Sequence, residues 1–160
     1  MKTVFVKKRM MAFVAMTALA AFSLTACKKD DSTGMIAVYM TSGDASGGQM
    51  KPIVSTSGSG TLSGSYNTTT KKWDYIINWS TLTDIATTVQ FRGPAVAGED
   101  GALISDLGVT TGGVTGSSSG VITLTDAQAT ALITGKVYYV IANPTFPAGE
   151  IRGQVVVVSR

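Results

Sequence analysis

The sequence predicts an all-β fold: an antiparallel two-sheet sandwich, Greek-key or immunoglobulin-like, of about seven to eight strands with one short helix near 126–134. Three observations predict it. Short β-rich runs alternate with Gly, Ser, Asn and Thr clusters from residue 34 to the end, charged residues are few, and a single stretch carries a helix signature.

The elements follow in order. Met35 to Thr41 is an apolar first strand, and Ser42 to Pro52 is a polar, Gly-rich connection. Ser57 to Tyr66 interleaves Gly and Ser with Thr, Leu and Tyr, the composition of a strand pressed against another backbone. Asn67 to Lys71 is a turn. Lys72 to Ser80 is the clearest strand: Trp73, Tyr75, Ile77 and Trp79 share one face at period two, opposite Asp74, Ile76, Asn78 and Ser80. Three aromatics on one face are read as core in preference to a sugar-stacking platform. Ala86 to Arg92 alternates again and stops at Gly93-Pro94. Ala102 to Leu107 and Gly120 to Leu124 are two more strands, joined by a Gly/Ser/Thr segment, Gly108 to Ser119, whose lack of bulky side chains predicts a mobile loop or irregular hairpin. In Thr125-Asp126-Ala127-Gln128 the Thr caps free N–H groups while the Gln reaches back, and Gly135 closes the helix. Val137 to Ala142 and Glu150 to Val158 complete the set. The Val155 to Val158 run is apolar on both faces, which predicts a central strand covered on both sides or a partner contact.

Residues 1–26 read as a leader, not as fold. Lys2, Lys7, Lys8 and Arg9 precede an apolar run from Met10 through Leu24, long enough for a signal-peptide core and short for a membrane span of roughly 20 apolar residues. The run ends in Leu24-Thr25-Ala26-Cys27, which closely resembles the bacterial lipobox. That resemblance implies cleavage before Cys27, diacylglycerol on its sulfur and an acylated new N-terminus; an uncleaved anchor with an incidental Cys is the alternative. Residues 27–34 are then a lipidated tether. Within it, Lys28, Lys29, Asp30 and Asp31 resemble the Lys-then-acidic export signal of Bacteroidota surface lipoproteins, or form a solvated spacer. Asp31-Ser32-Thr33 is similar to an O-glycosylation acceptor of that phylum.

Charge changes meaning once the leader is set aside. The whole chain of 160 residues carries 13 basic and 10 acidic side chains, a net charge of +3. From Cys27 onward nine basic and ten acidic residues remain, so the mature chain is close to neutral. No basic stripe is left to neutralise phosphates, and nucleic acid is not an expected partner. The chain has no His and one Cys, which excludes Ser-His-Asp and Cys-His catalysis, an internal disulfide and most zinc or copper sites.

The C-terminal run Pro147-Ala148-Gly149-Glu150-Ile151-Arg152-Gly153-Gln154 resembles the signature of the CHRD domain, named for chordin. The upstream features fall in that family's order: Ser59-Gly60-Thr61, then Tyr75 to Thr83, then Phe91-Arg92-Gly93-Pro94-Ala95, then Leu124 to Gln128 and Gly135 to Tyr138. The likeness spans about 35–158 and implies an antiparallel β-sandwich with no established enzymatic activity. It assigns structural motif roles to Gly93, Pro94, Gly149, Glu150, Arg152, Gly153 and Gln154. The family usually carries His at four positions that here read Gln90, Arg92, Ala142 and Phe146, so no metal site is carried over from relatives.

The remaining candidates are weighed on spacing. Glu99, Asp100 and Asp106 lie near loops, yet the Asp-x-Asp-x-Asp spacing of a calcium loop is missing, and solvated turn residues are the better reading. Asp126 complements the helix dipole. Glu150 and Arg152, two residues apart, are expected to fix strand register through an ion pair or hydrogen bonds to a neighbour. No catalytic or metal-ligating residue is assigned, and no cofactor beyond the lipid on Cys27. The expected function is a lipid-anchored, non-catalytic binding or structural module at the outer membrane, exposed on the cell surface, with the periplasmic face as the alternative. Its partners are the membrane, through the anchor, and an unidentified extracellular protein or glycan. A carboxylate-dependent glycan-active enzyme and a metal or redox module are the competing readings.

Overall fold

A computed structural model describes residues 37–160. The leader and the tether, Cys27 included, lie outside the described residues. Nine antiparallel strands and one helix follow in chain order: β1 (Val38–Ser46), β2 (Ser59–Asn67), β3 (Lys72–Ser80), β4 (Thr88–Arg92), β5 (Leu103–Leu107), β6 (Gly116–Thr123), α1 (Asp126–Ile133), β7 (Tyr138–Ala142), β8 (Ile151–Gln154) and β9 (Val156–Ser159). The all-β antiparallel class and the single short helix are as the sequence predicts. The hydrogen bonding, however, runs through one continuous sheet in the order β5-β4-β7-β8-β1-β2-β3-β6, with β9 paired to β1. That sheet curls into a nearly closed, barrel-like form. Trp73 of β3 stacks on Phe91 of β4, with ring centroids 4.3 Å apart, although the two strands are not hydrogen-bonded neighbours.

The core lies inside the curl. Trp73, Tyr75, Ile77 and Trp79 are buried along β3 while Asp74, Ile76 and Asn78 are exposed, so the period-two reading of that strand holds. Tyr139 and Ile141 of β7, Val89 and Phe91 of β4 and Ile151 of β8 meet them. The helix is fixed by its capping box: Gln128 N–H donates to the Thr125 hydroxyl, and Thr125 N–H donates to the Gln128 side chain. Gly135, at φ +69°, follows the helix in the left-handed region that glycine tolerates.

Three elements differ from expectation, each for a packing reason. β1 does not stop at Thr41 but runs on through Ser42, Gly43, Asp44, Ala45 and Ser46. Small residues on its buried side admit close neighbours: a Cβ on Gly43 would lie 2.5 Å from the Gln154 carbonyl oxygen. The Gly/Ser segment before residue 120 is likewise strand from Gly116. Trp79 leans on Gly116, Tyr75 leans on Gly120, and buried Ser118 donates from its hydroxyl to the Gly108 carbonyl at 2.5 Å. The Val155–Val158 run is not a strand covered on both faces. Val155 turns inward and donates its N–H to Val137, and the chain then continues as β9, beyond the start of β7, leaving Val156 and Val158 exposed. The strand covered on both faces is β7. Tyr139 and Ile141 point into the main core, while Tyr138 and Val140 form a second small cluster with Ala95 and Met50 on the outside.

Candidate functional site

The outer faces of β4 and β7 form the floor of a cleft of about 440 Å³. Alternation along both strands aims Thr88, Gln90 and Arg92 of β4 and Tyr138, Val140 and Ala142 of β7 to this side; Thr88 lies opposite Ala142 and Arg92 opposite Tyr138 in the ladder. The walls are loops. Met50 and Lys51 form one, Asp100 lies at the end of a second, and Pro147 and Ala148 form a third. Beyond the Met50–Lys51 ridge lies a further hollow of about 470 Å³, walled by Gly48, Ile53, Ala97, Gly98 and Gln154.

Two signature residues near the C-terminus, Arg152 and Gln154, hold the wall that ends in Asp100. Glu150 and Arg152 flank Ile151, and each hydrogen-bonds to segments distant in sequence. The wholly buried Glu150 carboxylate accepts from the Thr83 N–H at 2.9 Å, the Thr83 hydroxyl at 2.9 Å, the Thr56 hydroxyl and the Asn143 amide. It thereby ties the 56 and 83 loops to the end of β7. A buried carboxylate is tolerated because several donors replace its water. Arg152 lies 3.6 Å above the Tyr138 ring and donates to the Glu99 carbonyl at 2.6 Å, the Val96 carbonyl at 3.4 Å and the Asp100 carboxylate at 3.4 Å. It closes the 94–101 loop onto the sheet. Gln154 donates from Nε2 to the Ala95 carbonyl at 3.0 Å and the Gly135 carbonyl at 2.8 Å.

The glycines of the motif are positions of close approach. A Cβ on Gly153 would lie 2.5 Å from Tyr139 Cε1, and one on Gly93 (φ +153°) would lie 2.6 Å from the Lys136 carbonyl oxygen. Gly149, at φ +128°, leaves no room beside Val140. Pro94 follows a cis peptide bond and turns the chain into the cleft-wall loop.

The acids singled out by sequence are dispersed. Glu99 lies 3.6 Å from Lys51, Asp100 is on Arg152, Asp106 accepts from the Gln90 amide at 2.5 Å, and Asp126 lies 2.6 Å from Lys71 on the far side of the helix turn. Among the described residues no group of three or more His, Cys, Asp or Glu side chains converges on a metal-sized space. The sequence did not single out Met50, Lys51, Thr88, Tyr138 or Val140 as site residues. Alternation along β4 and β7 could place the strand residues on one face, but nothing local announces that the 50–51 segment folds over them.

Taken together, a curled antiparallel sheet, loops fixed by a buried Glu and Arg, and an open cleft on its outer face define a small β-domain with a preformed recess. A family model for the CHRD domain matches residues 41–155, and the chain belongs to that family. No match to a curated protein or to a solved structure is found. The four positions where the sequence departs from the family pattern come together: Gln90, Arg92 and Ala142 line the cleft, and Phe146 lies in the adjoining hollow that shares Met50, Lys51, Pro147 and Ala148 with it. These side chains do not fit a metal, because a guanidinium has donors only and alanine and phenylalanine offer no ligand atom.

Proposed function

We propose that this chain is a lipid-anchored CHRD-domain lipoprotein of the outer membrane, exposed on the cell surface, that acts as a non-catalytic binding or structural module through the β4–β7 cleft. The Leu24-Thr25-Ala26-Cys27 lipobox supports the anchor, since acyl chains contribute about 0.8 kcal/mol per buried CH₂ and two or more hold a protein stably on a bilayer. The observation that carries the binding reading is the cleft itself. Its floor is sheet, the wall that ends in Asp100 is held by Arg152, and its size falls within the roughly 300–1,000 Å³ of small-ligand sites. The glycan-hydrolase alternative needs two carboxyl groups facing each other about 5–9.5 Å apart. Among the described residues Asp100 is the single acid lining the cleft, and Arg152 already engages it, which favours binding over acid–base chemistry.

Two measurements test this reading. Mass spectrometry of the protein from a bacterial host is expected to find an acylated N-terminal peptide beginning at Cys27, and Cys27→Ala is expected to lose the acyl mass and leave the membrane fraction. A wild-type protein carrying its uncleaved leader and no acyl group would sink the anchor. Protease added to intact cells is expected to remove the domain; survival until lysis would place it on the periplasmic side.

A further inference from the structure

Arg92 differs from the other cations around the cleft. Lys51 faces Glu99, and Arg152 is spent on Asp100, two carbonyls and the Tyr138 ring. Arg92 donates from Nε to the Gln90 side-chain oxygen at 3.0 Å and, at the long distance of 3.5 Å, from one terminal nitrogen to the Gly101 carbonyl. Among the described residues no carboxylate lies within ion-pair distance of it; the nearest candidate on the strand ladder, Asp106, is held by Gln90 instead. The Gln90 side chain, itself bonded to Asp106, holds the Nε end of the guanidinium. The Arg92 side chain lines the cleft, and among the described residues its second terminal nitrogen makes no hydrogen bond, so N–H groups remain to donate to a carboxylate.

The rest of the cleft says what carries that carboxylate. Arg92 shares the cleft with the Thr88 hydroxyl, which suits polar substituents, and with the accessible apolar wall of Met50, Pro147 and Ala148, which suits a carbon face. We propose that the cleft binds an acidic sugar, a hexuronate residue of a glycan. Its carboxylate sits on Arg92, a ring hydroxyl on Thr88, and the ring's C–H face against Met50, Pro147 and Ala148. This inference rests on the cleft being the binding site and goes further by naming the ligand class.

The test is a titration of the full chain in detergent with D-glucuronate, its methyl ester and D-glucose, followed by calorimetry and by NMR of the Met50 and Ala148 methyl groups. Saturable binding of glucuronate that shifts those methyls, with the ester and glucose weaker by about tenfold or more, is expected, because a hydrogen bond between charged groups outweighs its neutral counterpart. Arg92→Gln is expected to abolish the difference between acid and ester, and Arg92→Lys to keep part of it. The ester comparison needs no variant, so it stands even where Arg92→Gln unfolds. Equal binding of glucuronate and its ester overturns the inference, as does retention of the acid preference in folded Arg92→Gln. Methyl shifts with glucose but none with glucuronate overturn the acidic ligand and leave the cleft as a binding site. Silence from all three probes overturns the acidic sugar and removes the support for the cleft as a glycan site.

Discussion

Single residues in this protein act mostly by how near they let others come. Gly153 is the sharpest case. A Cβ there would enter the Tyr139 ring at 2.5 Å and meet the Asp44 carbonyl oxygen at 2.9 Å, and neither neighbour can retreat, since one is a core aromatic and the other is strand backbone. Gly153→Ala is therefore expected to cost about 1–3 kcal/mol as overpacking, read as a lower urea midpoint. Gly98→Ala, where nothing lies within 4 Å, is the control for adding a methyl group; its φ of +82° leaves it a backbone-strain effect alone. An unchanged midpoint for Gly153→Ala would show that the Tyr139 ring moves freely. The sequence signalled that Gly153 belongs to a motif. It did not signal that the reason is an aromatic ring on the next strand.

At the scale of elements, local chemistry was legible wherever it is self-contained. The helix is the example, because Thr125 and Gln128 satisfy each other's backbone within four residues. Thr125→Ala is expected to cost about 1 kcal/mol and to raise amide exchange in the first turn of α1 without disturbing the sheet. A loss spread evenly through the strands would mean the cap stabilises the whole fold and not only its own helix. Lys72–Ser80 was equally plain, since large aromatics write the period directly. β1 beyond Thr41 and β6 before Gly120 were not. Their alternation is between polar residues and residues kept small, and it becomes visible only when the neighbour that demands smallness, Gln154 for Gly43 or Trp79 for Gly116, is known. Val155–Val158 misled for the opposite reason: four valines look buried, but only Val155 is fully so, Val157 is half-buried, and Val156 and Val158 are exposed.

For the whole molecule, burial of phenols sets a limit at high pH. Burial pushes up the pKa of Tyr139 and, more moderately, those of Tyr66 and Tyr75; the Asp44 charge adds to the first. Each phenol keeps its proton in the folded chain to higher pH than in the unfolded one, where it titrates near 10. Above that pH the folded state binds more protons, so stability falls as pH rises. Lys71, raised chiefly by its hydrogen bond to Asp126, acts in the same direction: its contribution is complete below its unfolded value of 10.5 and is lost as pH rises through the higher folded one. Urea midpoints are expected to decline between pH 10 and 11.5, and Tyr139→Phe is expected to lessen the slope while lowering the midpoint at pH 8, because the hydroxyl's bond to the Gly43 carbonyl at 3.0 Å is lost. A midpoint that holds steady to pH 11.5 would contradict the assignment.

The sequence by itself determined the β class, the capped helix, the clear aromatic strand, and membership of a family through one C-terminal run. Each of these is written in residues close together in the chain, where spacing and side-chain chemistry suffice. Only the tertiary structure decided that the strands form one curled sheet, that β7 and not the valine run is covered on both faces, and that Glu150 and Arg152 clamp loops fifty to ninety residues away. It alone gathered Gln90, Arg92 and Ala142 around one cleft and, among the described residues, left Arg92 without a carboxylate in ion-pair reach. Those facts depend on which strand edges meet, and pairing between distant strands is a property of the closed sheet that no local stretch of sequence encodes.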